Sequence, residues 1–407
     1  MSNLTKQLIL FIKILLTFLI ILKIPIIDVK AQIINMDNNI NNYNELNLYE
    51  KEENAYDNDN EQSIDYIIEN MLDKLELSEI DNESQKSNIT FSDILIDTLK
   101  GGEKAYFSVV VDELVATIKS QFATSKNQLK TLFILAVFSA FIVNIQNTFS
   151  KIKTGDTVFY MIFLVVVGIL FSEFIQILKI AQDTSVKVVE FMKVLFPAYF
   201  LSVSFGNGLA VSGVYYEIAI FIMWLIINVI VGIILKIASL HIFVSFINEI
   251  TDNMFGKMAD VIKKVVEYSL KIIIVIVSGL NVIKTMTAPI SLAKKNVALN
   301  IIKMLPGAGN VASNISDTVT GAGAVLKNAI GLSALVVVIA IVLVPIIKIV
   351  IYICAYMLIS AITEPLADKR LINIISKAAE SGVLVLKCLV SVGIIFFITI
   401  AIVSISI

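Results

Sequence analysis

Long apolar runs recur through the C-terminal two thirds of the chain and dominate its hydrophobic pattern. A helix needs about 20 apolar residues to cross the hydrocarbon of a bilayer. We interpret five runs as membrane-crossing helices: residues 132–145, 158–171, 215–237, 270–283 and 383–405. Residues 332–358 form a sixth run, too long for one untilted span, in which Pro345 and Lys348 predict a kink or a split into two short helices. The pattern therefore predicts six or seven crossings within a membrane domain of residues 126–407.

Two regions interrupt these apolar runs with glycine, proline and polar residues. Residues 188–213 contain Glu190, Lys193 and Pro197 before a Gly/Ser-rich sequence, and they predict a broken or re-entrant segment. Irregular backbone is tolerated at membrane depth where protein or water surrounds it. Residues 304–331 form the second interruption. Paired interrupted helices are typical of secondary transporters, so a transporter or permease is one interpretation of the pattern.

The second interruption, taken as residues 303–331, is built mainly from small and weakly polar residues. Two neighbouring rows follow a helical spacing of four: Ala308, Ala312, Ser316, Thr320 and Ala324 in one, and Asp317 and Gly321 in the other. Small faces allow helices to approach closely in a membrane. Lys327 and Asn328 add polar groups, which inside a membrane face protein or water. We expect these nine residues to pack helices together or to line a pore. A helical linker lying on the membrane surface is the alternative.

The N-terminal part of the chain has a different composition. Residues 1–31 combine Lys6, a long apolar stretch and a small-x-small sequence, which is typical of a secretory signal peptide. Half of the 34 acidic residues lie between residues 32 and 100. We interpret residues 32–125 as an acidic extracytoplasmic arm, disordered in its first part and followed by amphipathic helices that begin near Ile64 and Phe91. The arm either docks to a partner or serves as a solvated tether.

The overall composition supports a membrane protein and removes several other classes. The chain has 407 residues, of which 57% are hydrophobic and 16% charged, whereas about 25% of a soluble protein is charged. The predicted fold class is all-α, a polytopic helical membrane protein surrounded by lipid. One histidine, His241, and two isolated cysteines, Cys354 and Cys388, do not provide a metal-ligand set, so we expect no metal or cofactor. No basic stripe indicates nucleic-acid binding.

Two short sequences have the letters of catalytic or nucleotide-binding motifs without the required context. GAGNVA at residues 307–312 matches G-x-G-x-x-A, but no strand precedes it. Ser212 and His241 are candidates for the nucleophile and base of an intramembrane protease, yet nothing in the sequence brings them into contact. In a transporter, the charged coupling residues would be Glu173, Glu190, Glu217 and Lys348. The three glutamates fall near the ends of spans, where interfacial charges are common. We predict that the chain is not an enzyme.

The sequence around the small-residue rows carries a family resemblance. Ser316-Asp317-Thr318-Val319 is followed by Val325-Leu326-Lys327-Asn328-Ala329-Ile330-Gly331, and then by the apolar run with Pro345 and Lys348. Together with the signal peptide and the acidic arm, this order resembles the stage III sporulation protein AE family of endospore-forming bacteria. The likeness extends over roughly residues 102–407.

The resemblance implies a role in a multi-protein complex that joins the mother cell to the engulfed forespore. The protein would be a multi-pass component of the mother-cell membrane around the forespore, and other stage III sporulation proteins would form rings in the intermembrane space. The complex would act as a secretion-like channel, or feeding tube, that sustains forespore development in a low-GC Firmicute. The small-residue rows would then serve assembly, within the protomer or in a homo-oligomer around a conduit.

Overall fold

The computed structural model describes most of the C-terminal two thirds of the chain and short pieces before it. The described residues are 68–73, 75, 77–85, 90–100, 119–120, 130, 133–134, 137–138, 141, 154–207, 209–251, 254–303, 309–365 and 368–405. They belong to a unit that spans Ile67–Ile407. The predicted signal peptide, the first part of the acidic arm and most of the predicted span at residues 132–145 lie outside the described residues.

The ordered elements in these ranges are all helical. Two short helices come first, α1 (Leu77–Gln85) and α2 (Phe91–Leu99). The long helices are α3 (Thr154–Asn207), α4 (Leu209–Leu225), α5 (Leu235–Ile250), α6 (Gly256–Lys303), α7 (Gly309–Thr363) and α8 (Lys369–Ile405). A π-helical segment, Ile226–Ile234, joins α4 to α5 without a turn. The described secondary structure confirms the all-α prediction.

Four helical stretches in the described residues are long and apolar enough to cross a membrane: Tyr160–Phe205, Ser212–Ile250, Thr320–Thr363 and Lys369–Ala401. This confirms a membrane protein with several crossing helices. Each stretch is longer than one crossing requires; the 54 residues of α3 alone extend about 80 Å, against a hydrocarbon thickness of about 30 Å. The total of six or seven crossings stays a prediction, because part of the membrane domain lies outside the described residues.

The helices are more continuous than the sequence predicted. Helix α7 runs through Pro345 and Lys348 without interruption, so the predicted split into two short helices is wrong. Helix α3 likewise continues through Pro197 to Asn207, and α4 begins at Leu209. A proline in a helix interior removes one backbone hydrogen bond, and here the rest of the helix is long enough to continue past it. Within residues 188–213, the described residues are therefore all helical, and residue 208 lies outside them.

Helices α7 and α8 pack closely and run antiparallel. A Cβ atom added to Gly382 would lie 3.0 Å from Ile353 Cγ1, and one added to Gly393 would lie 3.3 Å from Val342 Cγ1. The residue numbers of the contacting positions fall along α7 as they rise along α8, so the two helices are antiparallel. The two glycines are about three helical turns apart, so they lie on the same face of α8. Small residues at this interface bring the backbones together.

Helix α2, from the region predicted to be the acidic arm, packs against the long helices. Its apolar residues Phe91, Ile94 and Leu95 are buried. The Phe91 ring lies 6.3 Å from the Phe191 ring of α3, measured between centroids. The Thr98 hydroxyl lies 3.5 Å from the Ser333 hydroxyl of α7. This part of the predicted arm is therefore attached to the helical bundle.

Helix α6 presents two different faces. Exposed apolar residues recur along one of them: Met258, Val261, Val265, Tyr268, Ile272, Val275 and Ile276. The charged residues Lys263 and Glu267 form ion pairs with α8. An exposed apolar stripe of this length fits contact with lipid or with another chain.

Candidate functional sites in the helical bundle

A row of polar residues follows one face of α8 and forms the first candidate site, here called the polar seam. Asn373, Lys377, Glu380, Ser381 and Lys387 recur at helical spacing. Lys377 pairs with Glu380 on α8 itself. The other four have partners on α5 and α6, more than 100 positions earlier in the chain. Charged residues within membrane helices usually face the bundle interior and pair with one another. The seam follows this rule along the whole contact.

Glu380 is the centre of the seam's charge network. Its two carboxylate oxygens accept hydrogen bonds from Lys263 Nζ at 2.5 Å and from Lys377 Nζ at 2.8 Å. A second pair joins Lys387 Nζ to Glu267 Oε1 at 2.6 Å. Burial alone would lower the pKa of Lys263, but its hydrogen bond to Glu380 and the nearby negative charges raise that pKa above the ordinary lysine value. Each described charge in this network therefore has an opposite charge beside it.

His241, only 1% exposed, joins the seam from α5. Its Nδ1 lies 2.8 Å from Ser381 Oγ, whereas the protease hypothesis had paired it with Ser212. The Ser381 hydroxyl donates its proton to the backbone carbonyl of Lys377 at 2.9 Å. His241 Nδ1 must then be the donor to Ser381 Oγ, since a hydroxyl has one proton to give. This arrangement does not activate Ser381 as a nucleophile, because the base would have to accept that proton.

An open cavity of about 310 Å³ lies at the end of the seam where α5 turns into α6. Its lining residues are mostly polar: Ser245, Asn248, Glu249, Gly256, Ala259, Asp260, Asn373 and Lys377. Asn373 Nδ2 donates to Glu249 Oε2 at 3.0 Å, and Asn248 Oδ1 accepts from the backbone N–H of Phe255 at 2.9 Å. The described residues contain no cluster of three metal-binding side chains. The cavity is therefore an open, mostly polar space.

A second candidate site lies between α3 and α7 and consists of Glu173, Tyr352 and Tyr356. Glu173 is 3% exposed and Tyr356 is 1% exposed. Tyr352 hydrogen-bonds to the Glu173 carboxyl group. Among the residues that the structure describes, Glu173 Oε2 and the Tyr356 hydroxyl have no hydrogen-bond partner. This cluster is as deeply buried as the core, and unlike the seam it contains unsatisfied polar atoms.

The nine residues predicted from the sequence fall along the first half of α7 or just before it. Ala308 lies outside the described residues, and Ala312, Ser316 and Asp317 are helical without a described side chain. Thr320, Gly321, Ala324 and Asn328 are half-buried, and Lys327 is 3% exposed. A Cβ atom added to Gly321 would meet nothing within 4 Å. At this glycine, close packing against a described helix is absent, and packing against another chain stays a prediction.

The four charged residues considered for a transporter have different environments. Glu173 is buried, Lys348 is half-buried, and Glu190 and Glu217 are exposed. Of these four residues, Glu173 is therefore the one that is fully buried. Its partners Tyr352 and Tyr356 were not predicted, because they lie on a distant helix. The close-packing glycines of α8 were also missed, although the spacing from Gly382 to Gly393 was a signal in the sequence that could have identified them.

Comparisons with known proteins agree with the resemblance given above. The family model described as Stage III sporulation protein AE matches residues 89–406, which begins at α2 and includes all the long helices. The Stage III sporulation protein AE of Bacillus subtilis (strain 168) is 19% identical over 306 residues, or 74% of each chain. No solved structure matches the chain. The chain, a membrane protein with several crossing helices, therefore belongs to the stage III sporulation protein AE family.

Proposed function

We propose that this protein is a membrane component of a channel complex that links the mother cell to the forespore and is required for forespore development. The observation that carries the proposal is the family match over residues 89–406, because it includes every described long helix. The protein would lie in the mother-cell membrane around the forespore. Other stage III sporulation proteins, including ring-forming ones in the intermembrane space, are its proposed partners.

Three features of the structure support a role in assembly. The long helices extend beyond one bilayer thickness, so parts of them are available to partner proteins. Helix α6 presents an exposed apolar stripe, and α7 presents Gly321 with open space beside it. The same surfaces fit a homo-oligomer, in which the small-residue rows of α7 would pack between protomers. The non-enzymatic role is consistent with the donor role of His241 toward Ser381.

A complementation experiment tests the proposed function. The gene is deleted in its own endospore-forming host and restored under a promoter active only in the mother cell or only in the forespore. We expect forespore development to stop in the deletion strain and to resume with mother-cell expression alone. Rescue by forespore expression alone would contradict the proposed location in the mother-cell membrane. Normal spores in the deletion strain would contradict the proposed requirement.

A secondary transporter is the second candidate, favoured by the burial of Glu173 within a membrane-crossing stretch. Two measurements separate it from the channel component. A transporter would be expressed during vegetative growth and would move a solute when reconstituted alone in vesicles. A channel component would be expressed during sporulation and would be recovered with its partner proteins.

A further inference from the structure

Glu173 lies in a position where an ionised carboxylate is poorly accommodated. It belongs to the membrane-crossing stretch Tyr160–Phe205 and is 3% exposed. One carboxyl oxygen, Oε2, has no hydrogen-bond partner in the described part of the chain. Burying an unpaired carboxylate is strongly unfavourable, because the charge loses its hydration without gaining a partner. The single hydrogen bond from Tyr352 is too weak to offset that cost.

The described cations on the helices that pack against α3 do not pair with Glu173. Within the described part of the chain, Glu173 forms no ion pair. On α7, Lys348 lies one turn before Tyr352 and makes no ion pair with Glu173. On α8, Arg370 Nη1 donates to the Tyr160 hydroxyl at 3.2 Å, more than three turns along α3 from Glu173. No described cation therefore neutralises the carboxyl group.

The two tyrosines supply the remaining polar groups of the site. Tyr352 and Tyr356 are four residues apart on α7, with ring centroids separated by 6.4 Å, so they share a helix face. Tyr352 binds the carboxyl group, and the Tyr356 hydroxyl is close enough to interact electrostatically with it. Oε2 and that hydroxyl, the two atoms without partners, thus lie in the same buried cluster. A proton on Glu173 would convert Oε2 from an unsatisfied acceptor into a donor.

We propose that Glu173, Tyr352 and Tyr356 form a proton-binding site inside the membrane, at which Glu173 is the group that gains and releases the proton. In the packed arrangement Glu173 carries the proton and the site is electrically neutral. Release of the proton leaves a buried negative charge, which favours entry of water and loosening of the contact between α3 and α7. Proton occupancy is thereby coupled to the packing of these two helices. This property is independent of the proposed role in sporulation.

Infrared spectroscopy of the purified full-length protein in lipid tests the site directly, because a protonated carboxyl group has its own C=O stretching band. We expect such a band at neutral pH in the wild type and its loss in Glu173→Gln. Glu217→Gln, at an exposed position, is the matched control and should retain the band. Tyr356→Phe should shift the band, because it removes the hydroxyl beside the carboxyl group. Identical wild-type and Glu173→Gln spectra would overturn the proposal.

A cation such as Na⁺ is the competing ligand for these oxygen atoms. Replacing choline chloride by sodium chloride at constant ionic strength distinguishes a bound proton from a bound Na⁺. We expect the protonated-carboxyl band to be unchanged by sodium and to decrease only as pH rises. Loss of the band on addition of sodium at fixed pH would show a cation site and overturn the proposal.

Amide hydrogen exchange tests the coupling between the proton and the helices. In the wild type, exchange in the segments around Glu173 and Tyr352 should accelerate as pH rises, beyond the intrinsic change of the exchange rate. Glu173→Gln should lack this additional acceleration, because it cannot lose a proton. Equal acceleration in both proteins would overturn the coupling.

Discussion

The two polar regions of the bundle satisfy their charged groups to different extents. In the polar seam of α8, Glu380 accepts hydrogen bonds from two lysines, and Lys387 is paired with Glu267. Between α3 and α7, Glu173 has one tyrosine partner and one oxygen without any. The charged side chains of the seam are also partly exposed, whereas Glu173 is deeply buried. The seam therefore holds helices together through paired charges, whereas the Glu173 cluster contains a group that can change its charge.

Gly382 lies between the two regions and allows both to be disturbed at once. It follows Ser381 of the seam, and its close neighbour Ile353 directly follows Tyr352 of the Glu173 cluster. Gly382→Leu should destabilise the protein by about 3 kcal/mol, because an overpacked helix contact forces the backbones apart. The thermal denaturation midpoint of the protein in detergent measures this effect.

Gly321→Leu is the matched control for that substitution. A Cβ atom at residue 321 meets nothing within 4 Å, so the midpoint should be unchanged. The same variant should impair assembly if the small-residue rows pack between protomers, as measured by recovery of partner proteins with the tagged chain. Equal midpoints for Gly382→Leu and the wild type would refute the close packing of α7 and α8. Normal assembly and sporulation of Gly321→Leu would refute the packing role of Gly321.

Glu380→Gln should have the next largest effect, about 2 kcal/mol, because it leaves two lysines without their shared carboxylate. This loss of stability is smaller than for a fully buried ion pair, because the side chains of Glu380, Lys263 and Lys377 are partly exposed. Thermal denaturation again provides the measurement, with the exposed Glu364→Gln as control. If Glu380→Gln and Glu364→Gln have the same denaturation midpoint, Glu380 does not stabilise the seam.

Alkaline pH should weaken the seam through Lys263. Its pKa in the folded protein is raised above the unfolded value of about 10.4. The charged lysine therefore contributes stability below that pH, and the contribution is lost as pH rises through the folded pKa. The denaturation midpoint of the wild type should fall more steeply above about pH 10 than that of Lys263→Met. If the midpoints of the two proteins change with pH in parallel, Lys263 does not contribute to the stability of the seam.

Glu173→Gln should have the smallest effect on stability, less than about 1 kcal/mol at neutral pH, because a neutral amide replaces a neutral acid of the same shape. The denaturation midpoints of the wild type, Glu173→Gln and Glu380→Gln are measured at two pH values. As pH rises, the wild type should lose stability relative to Glu173→Gln. A strong loss of stability in Glu173→Gln at neutral pH would indicate that the ionised carboxylate is the native form.

The sequence predicted the class of fold and the family, since both depend on local patterns. Apolar runs identify membrane helices wherever they occur, and residues 316–331 lie in one continuous segment. Pro345 was misread because its local effect suggests a break, whereas a long helix tolerates the loss of one backbone hydrogen bond. Local signals therefore identified elements better than their boundaries.

The candidate sites were less accessible to prediction because they depend on distant contacts. From the sequence, Glu173 was either a coupling residue of a transporter or, more commonly, an interfacial charge, and only its packing against Tyr352 and Tyr356 shows that it is buried. The partner of His241 lies 140 positions away on α8. A single sequence contains no periodicity that links such positions. The signal for the seam was present in the spacing of polar residues along α8, but its partners could not be identified from that spacing.

The attachment of α2 has a mechanical consequence. Its Phe91 ring contacts α3 and its Thr98 hydroxyl contacts α7, the two helices that enclose Glu173. A pulling force on the chain before residue 91 would pass through this short helix into both long ones. Helix α2 thus transmits a load applied at its N-terminus to both of the helices that flank Glu173.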